Sequence, residues 1–321
     1  MRDQFNREID YMRISITDRC NLRCKYCMPE EGIQKVPMSR ILTYEEIIRI
    51  CEAAVSLGIN KFKITGGEPL VRRGCVSFCK ELREMSGVQQ VTMTTNGQQL
   101  EELLDGLADA GIDGINISLD SLKDDRYKVI TGGGDLRKTL IGIEAAVSKG
   151  IKTKINCLIQ KGFNEDEVTD FAKMAFDLGI DVRFIEIMPI GYGRPDNGLS
   201  NEILLQRLKD DYPRLTLDSA PRGNGPARYY SIPGRKGSIG LISAMNNSFC
   251  GSCNRIRLTS QGTIKPCLCY EDSLDLRPAL ESGSIEALQR VLSDAVLSKP
   301  AGHAFENRDC VERRSMVEIG G

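Results

Sequence analysis

The chain has 321 residues, and its 43 Lys and Arg against 44 Asp and Glu leave a net charge of −1; at about 150 residues per domain this is two domains, or one α/β domain with an appendage, with no overall electrostatic footprint for nucleic acid or an anionic membrane. A single histidine, His303, argues against chemistries that consume histidines, namely His-based zinc hydrolysis, Ser/His/Asp triads and haem. With charged residues in the first ten positions and no apolar run of membrane-spanning length, the expectation is a cytoplasmic protein without signal peptide or membrane segment, whose twelve cysteines serve as ligands or catalytic groups more readily than as disulfides.

In chain order, strands are predicted at 12–17, 62–65, 91–95, 114–118, 153–159 and 182–187, each separated from the next by helical sequence. Thr43 with Glu46, and Asn164 with Glu167, fit an N-cap followed at N3 by Glu. Gly58, Gly111, Gly150 and Gly179 each stand between a helical stretch and an Ile, the pattern of a left-handed helix stop followed by a strand. Strand and helix in alternation imply right-handed βαβ units and a parallel sheet, either a twisted open sheet or a partial (β/α) barrel. After Pro189 the pattern changes: a Gly-rich stretch, a helix at 201–210, a turn-rich segment at 213–226, short strands at 229–232, 238–243 and 255–259, and a helix at 285–297. The expected division is therefore 1–190 and a smaller module, 191–321.

The first strand runs into Cys20, Cys24 and Cys27, a C-x3-C-x2-C triplet. Three thiolates on one loop can hold three irons of a [4Fe-4S] cubane and leave the fourth open to chelate a small molecule. A zinc site short of a ligand and unrelated core thiols are the bland alternatives. The next strands end in Thr65-Gly66-Gly67-Glu68-Pro69, Thr94-Thr95-Asn96-Gly97 and Ser118-Leu119-Asp120-Ser121, so polar and Gly-rich residues gather at the C-terminal ends of parallel strands, where α/β folds place their sites. Gly132-Gly133-Gly134-Asp135 resembles a phosphate loop only superficially, because Arg137 stands where the Gly before Lys138 belongs; it reads as a loop leading into a helix. A second triplet, Cys250, Cys253 and Cys267, is followed by Arg255 and Arg257 on one face of a strand; with Cys269 as a fourth thiolate, a closed zinc site is an equally good reading of the spacing. Cys51, Cys75, Cys79, Cys157 and Cys310 have no ligand spacing and read as packing thiols.

The cysteine triplet with the Gly-Gly-Glu-Pro segment resembles the radical S-adenosylmethionine (SAM) superfamily. Thr17-Asp18-Arg19-Cys20 through Met28-Pro29, the Cys250/Cys253/Cys267 set with Asn254-Arg255-Ile256-Arg257, Arg183-Phe184-Ile185-Glu186, Asn224-Gly225-Pro226-Ala227 and the terminal Gly320-Gly321 together resemble the GTP 3',8-cyclase family of molybdenum cofactor biosynthesis. This resemblance implies an incomplete (β/α)6 TIM-like barrel with a smaller C-terminal α+β module, two [4Fe-4S] clusters, one on each triplet, and SAM. It implies Tyr26, Gly66, Gly67, Glu68, Ser118 and Met188 around SAM; Arg13, Lys63, Thr94, Lys154, Arg183, Arg255 and Arg257 around GTP; and a catalytic tail, Gly320 and Gly321. Lys63 stands where the family often has Arg, keeping the charge without the planar fork. Also implied are an electron donor such as flavodoxin or ferredoxin and metabolite transfer to cyclic pyranopterin monophosphate synthase, with no nucleic-acid or membrane partner and a homodimer left open. A peptide-modifying radical SAM maturase and a non-enzymatic iron-sulfur carrier are the competing readings.

Overall fold

Alternation along the strands decides which way the sheet faces. The structure, a computed structural model, describes residues 1–34, 36–245, 249–305 and 312–320; Cys310 and Gly321 lie outside the described residues. The first six strands are β1 (Tyr11–Ser15), β2 (Lys61–Thr65), β3 (Gln90–Thr95), β4 (Gly114–Ser118), β5 (Thr153–Leu158) and β6 (Asp181–Ile185). Each pairs in parallel with the next, with Arg13 opposite Lys63 and Asn116 opposite Lys154. One set of alternate residues, including Met12, Ile14, Phe62, Ile64, Ile115, Ile117, Val182 and Phe184, joins the buried apolar core, where each such side chain contributes about 1.5–3 kcal/mol. The other set is polar, with Lys63, Asn116, Lys154 and Arg183 buried and Arg13 half-buried. Residues from β1, β4 and β6 line one common cavity, so the sheet curls with its polar face inward and becomes a ligand chamber.

Crossover helices cover the apolar face: α1 (Tyr44–Ser56), α2 (Cys75–Glu84), α3 (Leu100–Asp109), α4 (Asp124–Thr131), α5 (Leu136–Ser148) and α6 (Val168–Leu178). Thr43 caps α1 as expected: its Oγ1 accepts from Glu46 N at 3.1 Å and Glu46 Oε2 accepts from Thr43 N at 2.7 Å. Gly58, Gly111, Gly150 and Gly179 take φ of 84°, 72°, 72° and 67°, the left-handed stops read from the sequence. Asp135 caps α5, accepting from Arg137 N and Lys138 N, so the Gly132–Gly134 stretch is a helix-to-helix loop.

The Asn164/Glu167 cap does not form. Asn164 makes no side-chain cap; its Nδ2 donates to the carbonyls of Asp120 and Leu158. Buried Glu167 accepts from Ser121 Oγ and Leu122 N. Both side chains found tertiary donors and acceptors at the end of β4, which outcompeted the local cap.

Past β6 come α7 (Asn201–Asp211), β7 (Thr216–Asp218), β8 (Arg228–Ser231), β9 (Ser238–Ile242), β10 (Arg255–Leu258), β11 (Thr263–Lys265), β12 (Leu274–Asp275), α8 (Arg277–Glu281) and α9 (Ile285–Leu297). The last third does not build a sheet of its own. β9 adds in parallel to β6, and β10 adds in parallel to β1, within a twelve-stranded sheet ordered β12-β11-β10-β1-β2-β3-β4-β5-β6-β9-β8-β7. The free edges of the (β/α)6 unit would otherwise leave unpaired backbone groups, and both are covered by later strands. α9 returns to pack on α1, with Gln289 Nε2 donating to Ser56 Oγ at 2.7 Å.

Candidate functional site

The loop after β1 brings Cys20, Cys24 and Cys27 together, half-buried, with Cys27 N bonded to the Cys24 carbonyl at 2.9 Å. They line one cavity with Tyr26, Gly66, Gly67, Glu68, Ser118 and Met188, all expected from the sequence to act together. Burial pushes all three thiols above their ordinary range, Cys27 up to about 12, with the neighbouring thiols adding to the rise at Cys24 and Cys27. Cys20 Sγ receives Leu22 N at 3.4 Å and Asn96 Nδ2 at 3.8 Å.

The Gly-Gly turn after β2 lies directly against this loop. Gly67 N donates to Thr17 O at 2.7 Å and Glu68 N to Arg19 O at 2.8 Å. A Cβ on Gly67 would stand 2.4 Å from Arg19 O, and one on Gly66 2.7 Å from Thr17 O, so only glycine permits the approach. Glu68 is differently placed from a free amine ligand. Its carboxylate already accepts from Leu70 N at 3.1 Å, Thr95 Oγ1 at 2.7 Å and Asn96 N at 2.6 Å, and burial raises it to about 7. It braces the turn against the end of β3. Tyr26 is held similarly, donating to Asp120 Oδ2 at 2.8 Å, with burial raising Asp120 to about 6.

Towards the N-terminal ends of the strands lies a second cavity, lined by Arg13, Lys63, Thr94, Lys154, Arg183 and Arg255. Arg13, Thr94, Asn156 and Ile185 line both cavities, so the cysteine loop and the cations open onto one interior. Burial, then the charges of Arg183, Arg13 and Lys154, push Lys63 well below its ordinary value. The buried Nε atoms of Arg183 and Arg255 have no hydrogen-bond partner. Lys154 is engaged, 2.8 Å from Asp181 Oδ2 and 2.9 Å from the Tyr229 hydroxyl. Arg257, two residues past Arg255, lines the cysteine cavity instead. A cluster of buried cations with little carboxylate to offset it suits a polyanion.

Tyr11, Asn156 and Tyr229 also line this interior and were not singled out from the sequence. Continuing the alternation two residues from Arg13 and from Lys154 finds the first two. Tyr229, Arg222 and Gly223 had no such signal; Asn224 and Gly225, singled out only through the family resemblance, lie with them at the cavity's mouth, Asn224 Nδ2 bonded to Gln90 Oε1 at 2.5 Å.

In the second triplet, Cys250 and Cys253 lie on one tight turn, Cys253 N donating to Cys250 O at 3.1 Å, and Cys267 follows β11; all three are half-buried. Burial raises Cys253, but Lys299 and Arg255 outweigh it and hold the thiol below its ordinary value. Cys269 is fully buried in an apolar cluster with Ile190, Phe305 and Ile319. Among the described residues no group of three His, Cys, Asp or Glu side chains is placed to hold a single metal ion, at this triplet or at the first. The tail enters the same interior: Met316 and Val317 line the cysteine cavity, and Gly320, at φ 76°, sits so close to Ser15 that a Cβ would stand 2.7 Å from that side chain's Cβ.

The sequence model of the radical SAM superfamily matches residues 14–175, and that described as Molybdenum Cofactor Synthesis C matches residues 180–305. GTP 3',8-cyclases of Alkaliphilus oremlandii and Alkaliphilus metalliredigens are 46% and 47% identical to this chain over 327 aligned positions, covering 100% of each chain. The chain belongs to the GTP 3',8-cyclase family of the radical SAM superfamily. Solved structures share the fold at lower identity. Streptococcus suis SuiB bound to precursor peptide SuiA matches with TM-score 0.62 and 15% identity over 92% of this chain and 66% of that one. The structure of anSMEcpe with bound AdoMet matches with TM-score 0.56 and 16% identity, over 80% and 73%. Family membership implies [4Fe-4S] clusters and SAM, and the donor chemistry fits both: two half-buried sets of three thiols, the first opening onto a cavity walled by a Gly-Gly turn.

Proposed function

We propose that this enzyme converts GTP to (8S)-3',8-cyclo-7,8-dihydroguanosine 5'-triphosphate, the first step of molybdenum cofactor biosynthesis. The observation that carries the reading is the shared interior, in which buried Lys63 and Arg183 and half-buried Arg13 and Arg255 lie within one chamber of the Cys20/Cys24/Cys27 loop. Cys20, Cys24 and Cys27 hold one cluster, and Cys250, Cys253 and Cys267 the other. Tyr26, Gly66, Gly67, Ser118 and Met188 cradle SAM, with Glu68 acting through the turn it braces.

The cluster held by Cys20, Cys24 and Cys27, with SAM, would supply radical chemistry at the ribose of GTP, and Cys250, Cys253 and Cys267 would hold a second cluster on the purine side. The protein's own contribution is position and exclusion. Arg13, Lys63, Lys154, Arg183 and Arg255 neutralise the triphosphate with charge-assisted hydrogen bonds, and Thr94, lining both cavities, sits where the two ligands meet. Buried walls keep water and stray hydrogen donors from the reacting carbon. Arg257 acts with the Gly320-Gly321 tail, of which Gly320 stands where nothing bulkier than glycine fits beside Ser15.

The reading extends to a cytoplasmic enzyme reduced by flavodoxin or ferredoxin, handing its product to cyclic pyranopterin monophosphate synthase; family membership supports these. The reading keeps a two-part division at residue 190; that the chain has two parts is supported by two separate sequence models, which meet between residues 175 and 180. Anaerobic reconstitution followed by SAM, dithionite and GTP is expected to yield 5'-deoxyadenosine together with the cyclised nucleotide. Cleavage of SAM with GTP left intact would overturn the assignment of substrate.

A further inference from the structure

Lys299 lies just past α9 and is only 2% exposed. An ammonium has three donors, and here each has an acceptor: the Arg255 carbonyl at 2.8 Å, the Pro266 carbonyl at 2.7 Å and Cys253 Sγ at 3.8 Å. The acceptors come from two separate segments of the second triplet, one carrying Cys253 into β10 and the other leading directly into Cys267. The third cysteine is reached through Arg7, whose Nη1 donates to Cys250 O at 2.8 Å and Ala301 O at 3.1 Å, and whose Nη2 donates to Pro300 O at 2.7 Å. Arg7 is itself fixed by Asp3 at 2.6 Å. Lys299, Pro300 and Ala301 thus form a short strut, buried at Lys299 and reaching the surface at Ala301, between the loops that carry all three thiols.

Arg7 has a carboxylate beside it; for Lys299 no carboxylate ion pair occurs among the described residues. A buried ammonium without such a partner is costly unless another anion faces it, and the group that faces it is the sulfur of Cys253 at 3.8 Å, with the Cys267 thiol near enough to act on its charge. Hydrogen bonds and positive charge at the sulfurs of an iron-sulfur centre favour its reduced, more negative state.

We propose that Lys299 is the positioning residue of the second cluster: it fixes the Cys253 and Cys267 segments relative to each other and sets a positive charge against a ligating sulfur, raising the cluster's reduction potential. This rests on the reading that Cys250, Cys253 and Cys267 ligate a [4Fe-4S] cluster.

The test begins from a chain carrying Cys20→Ala, Cys24→Ala and Cys27→Ala, reconstituted anaerobically so that only the second cluster remains, and titrated by EPR against potential. Lys299→Gln is expected to move the midpoint to more negative values and to speed iron loss to a chelator, and Lys299→Arg to restore both towards the parent. In the otherwise wild-type chain, Lys299→Met is expected to lose the second cluster's iron while the first cluster and its SAM cleavage persist. A Lys299→Gln midpoint and chelation rate equal to the parent's overturn the proposal. Should Lys299→Met lose both clusters, the chain has misfolded and the Gln midpoint decides. If the parent itself binds no cluster, the ligand assignment falls, a result distinct from Lys299 variants that match a cluster-bearing parent.

Discussion

Arg257 donates from Nη1 to the carbonyl oxygen of Gly320 at 3.1 Å, tying the strand after the second cysteine turn to the end of the chain. A hydrogen bond from a charged donor is worth about 1.5–3 kcal/mol, so Arg257→Ala is expected to slow cyclisation roughly tenfold to a hundredfold. Both clusters and most GTP binding should remain. Deleting Gly320 and Gly321 removes the other partner of the same contact, and Gly320→Ala introduces a side chain where φ and Ser15 forbid one. Single-turnover rates beside equilibrium GTP binding check this. The combined Arg257→Ala and tail deletion should be no slower than the worse single change; losses that add would show the two acting independently.

Further back, the tail is anchored by a buried ion pair. Lys265 Nζ and Glu312 Oε2 are 2.5 Å apart with both side chains fully buried, and Arg314 joins Glu312 at 2.7 Å. Lys265→Met leaves the buried Glu312 carboxylate to Arg314 alone and should cost about 1.5–3 kcal/mol in denaturant unfolding. Pairing it with Glu312→Leu should recover part of that loss. A double variant whose loss equals the sum of the single losses would mean that the pair is not coupled.

Cys267 and Cys269 separate cleanly. Cys269 packs among Ile190, Phe305 and Ile319, so Cys269→Ala should keep all the iron of the wild type and lose only packing stability. Cys267→Ala should lose the second cluster. Iron content and the EPR signal of the reduced protein read both, and the opposite pattern would reassign the ligand.

Asp181 supplies a pH signature. It lies 2.8 Å from Lys154 Nζ and accepts from Ser238 Oγ at 2.6 Å and Arg222 Nη1 at 3.0 Å. Burial raises its carboxyl, but Lys154, Ser238 and Arg222 outweigh this and leave it below the ordinary 3.8. A carboxyl lowered in the native state contributes stability that is complete above the unfolded value and fades as pH falls through the lowered one. The stability gap between wild type and Asp181→Asn, followed by denaturant unfolding of the cluster-free chain, should therefore be constant near neutral pH and narrow below about pH 4. A gap that widens in acid would contradict the assignment.

The parts of the site legible in the sequence are those built from near neighbours. Cys20, Cys24 and Cys27 lie within one loop, so their spacing points to their chemistry, and Gly66 and Gly67, which follow a strand whose end is marked by its own composition, take theirs from the family resemblance. The Thr43 cap and the stops at Gly58, Gly111, Gly150 and Gly179 are likewise settled within one helical turn. Where a side chain could choose between a local partner and a distant one, local pattern failed. Asn164 and Glu167 have the spacing of a cap, yet both reach the end of β4. Glu68 has the place of a ligand, yet three donors of its own chain hold it.

By itself the sequence determined the βα rhythm, the two thiol triplets and the cations on alternate strand positions, because period and spacing are properties of a few consecutive residues. Only the tertiary structure decided that the sheet curls, so that Arg13 and Arg255 on the paired strands β1 and β10 face one chamber with Arg183 of β6, and that β9 and β10 extend the barrel sheet instead of forming another. It also decided that Lys299 and Arg7, unremarkable in the sequence, meet behind the second triplet. Those arrangements depend on sheet curvature, edge pairing and burial of charge, which arise only when segments far apart in the chain are forced to satisfy one another's backbone groups and charges out of water.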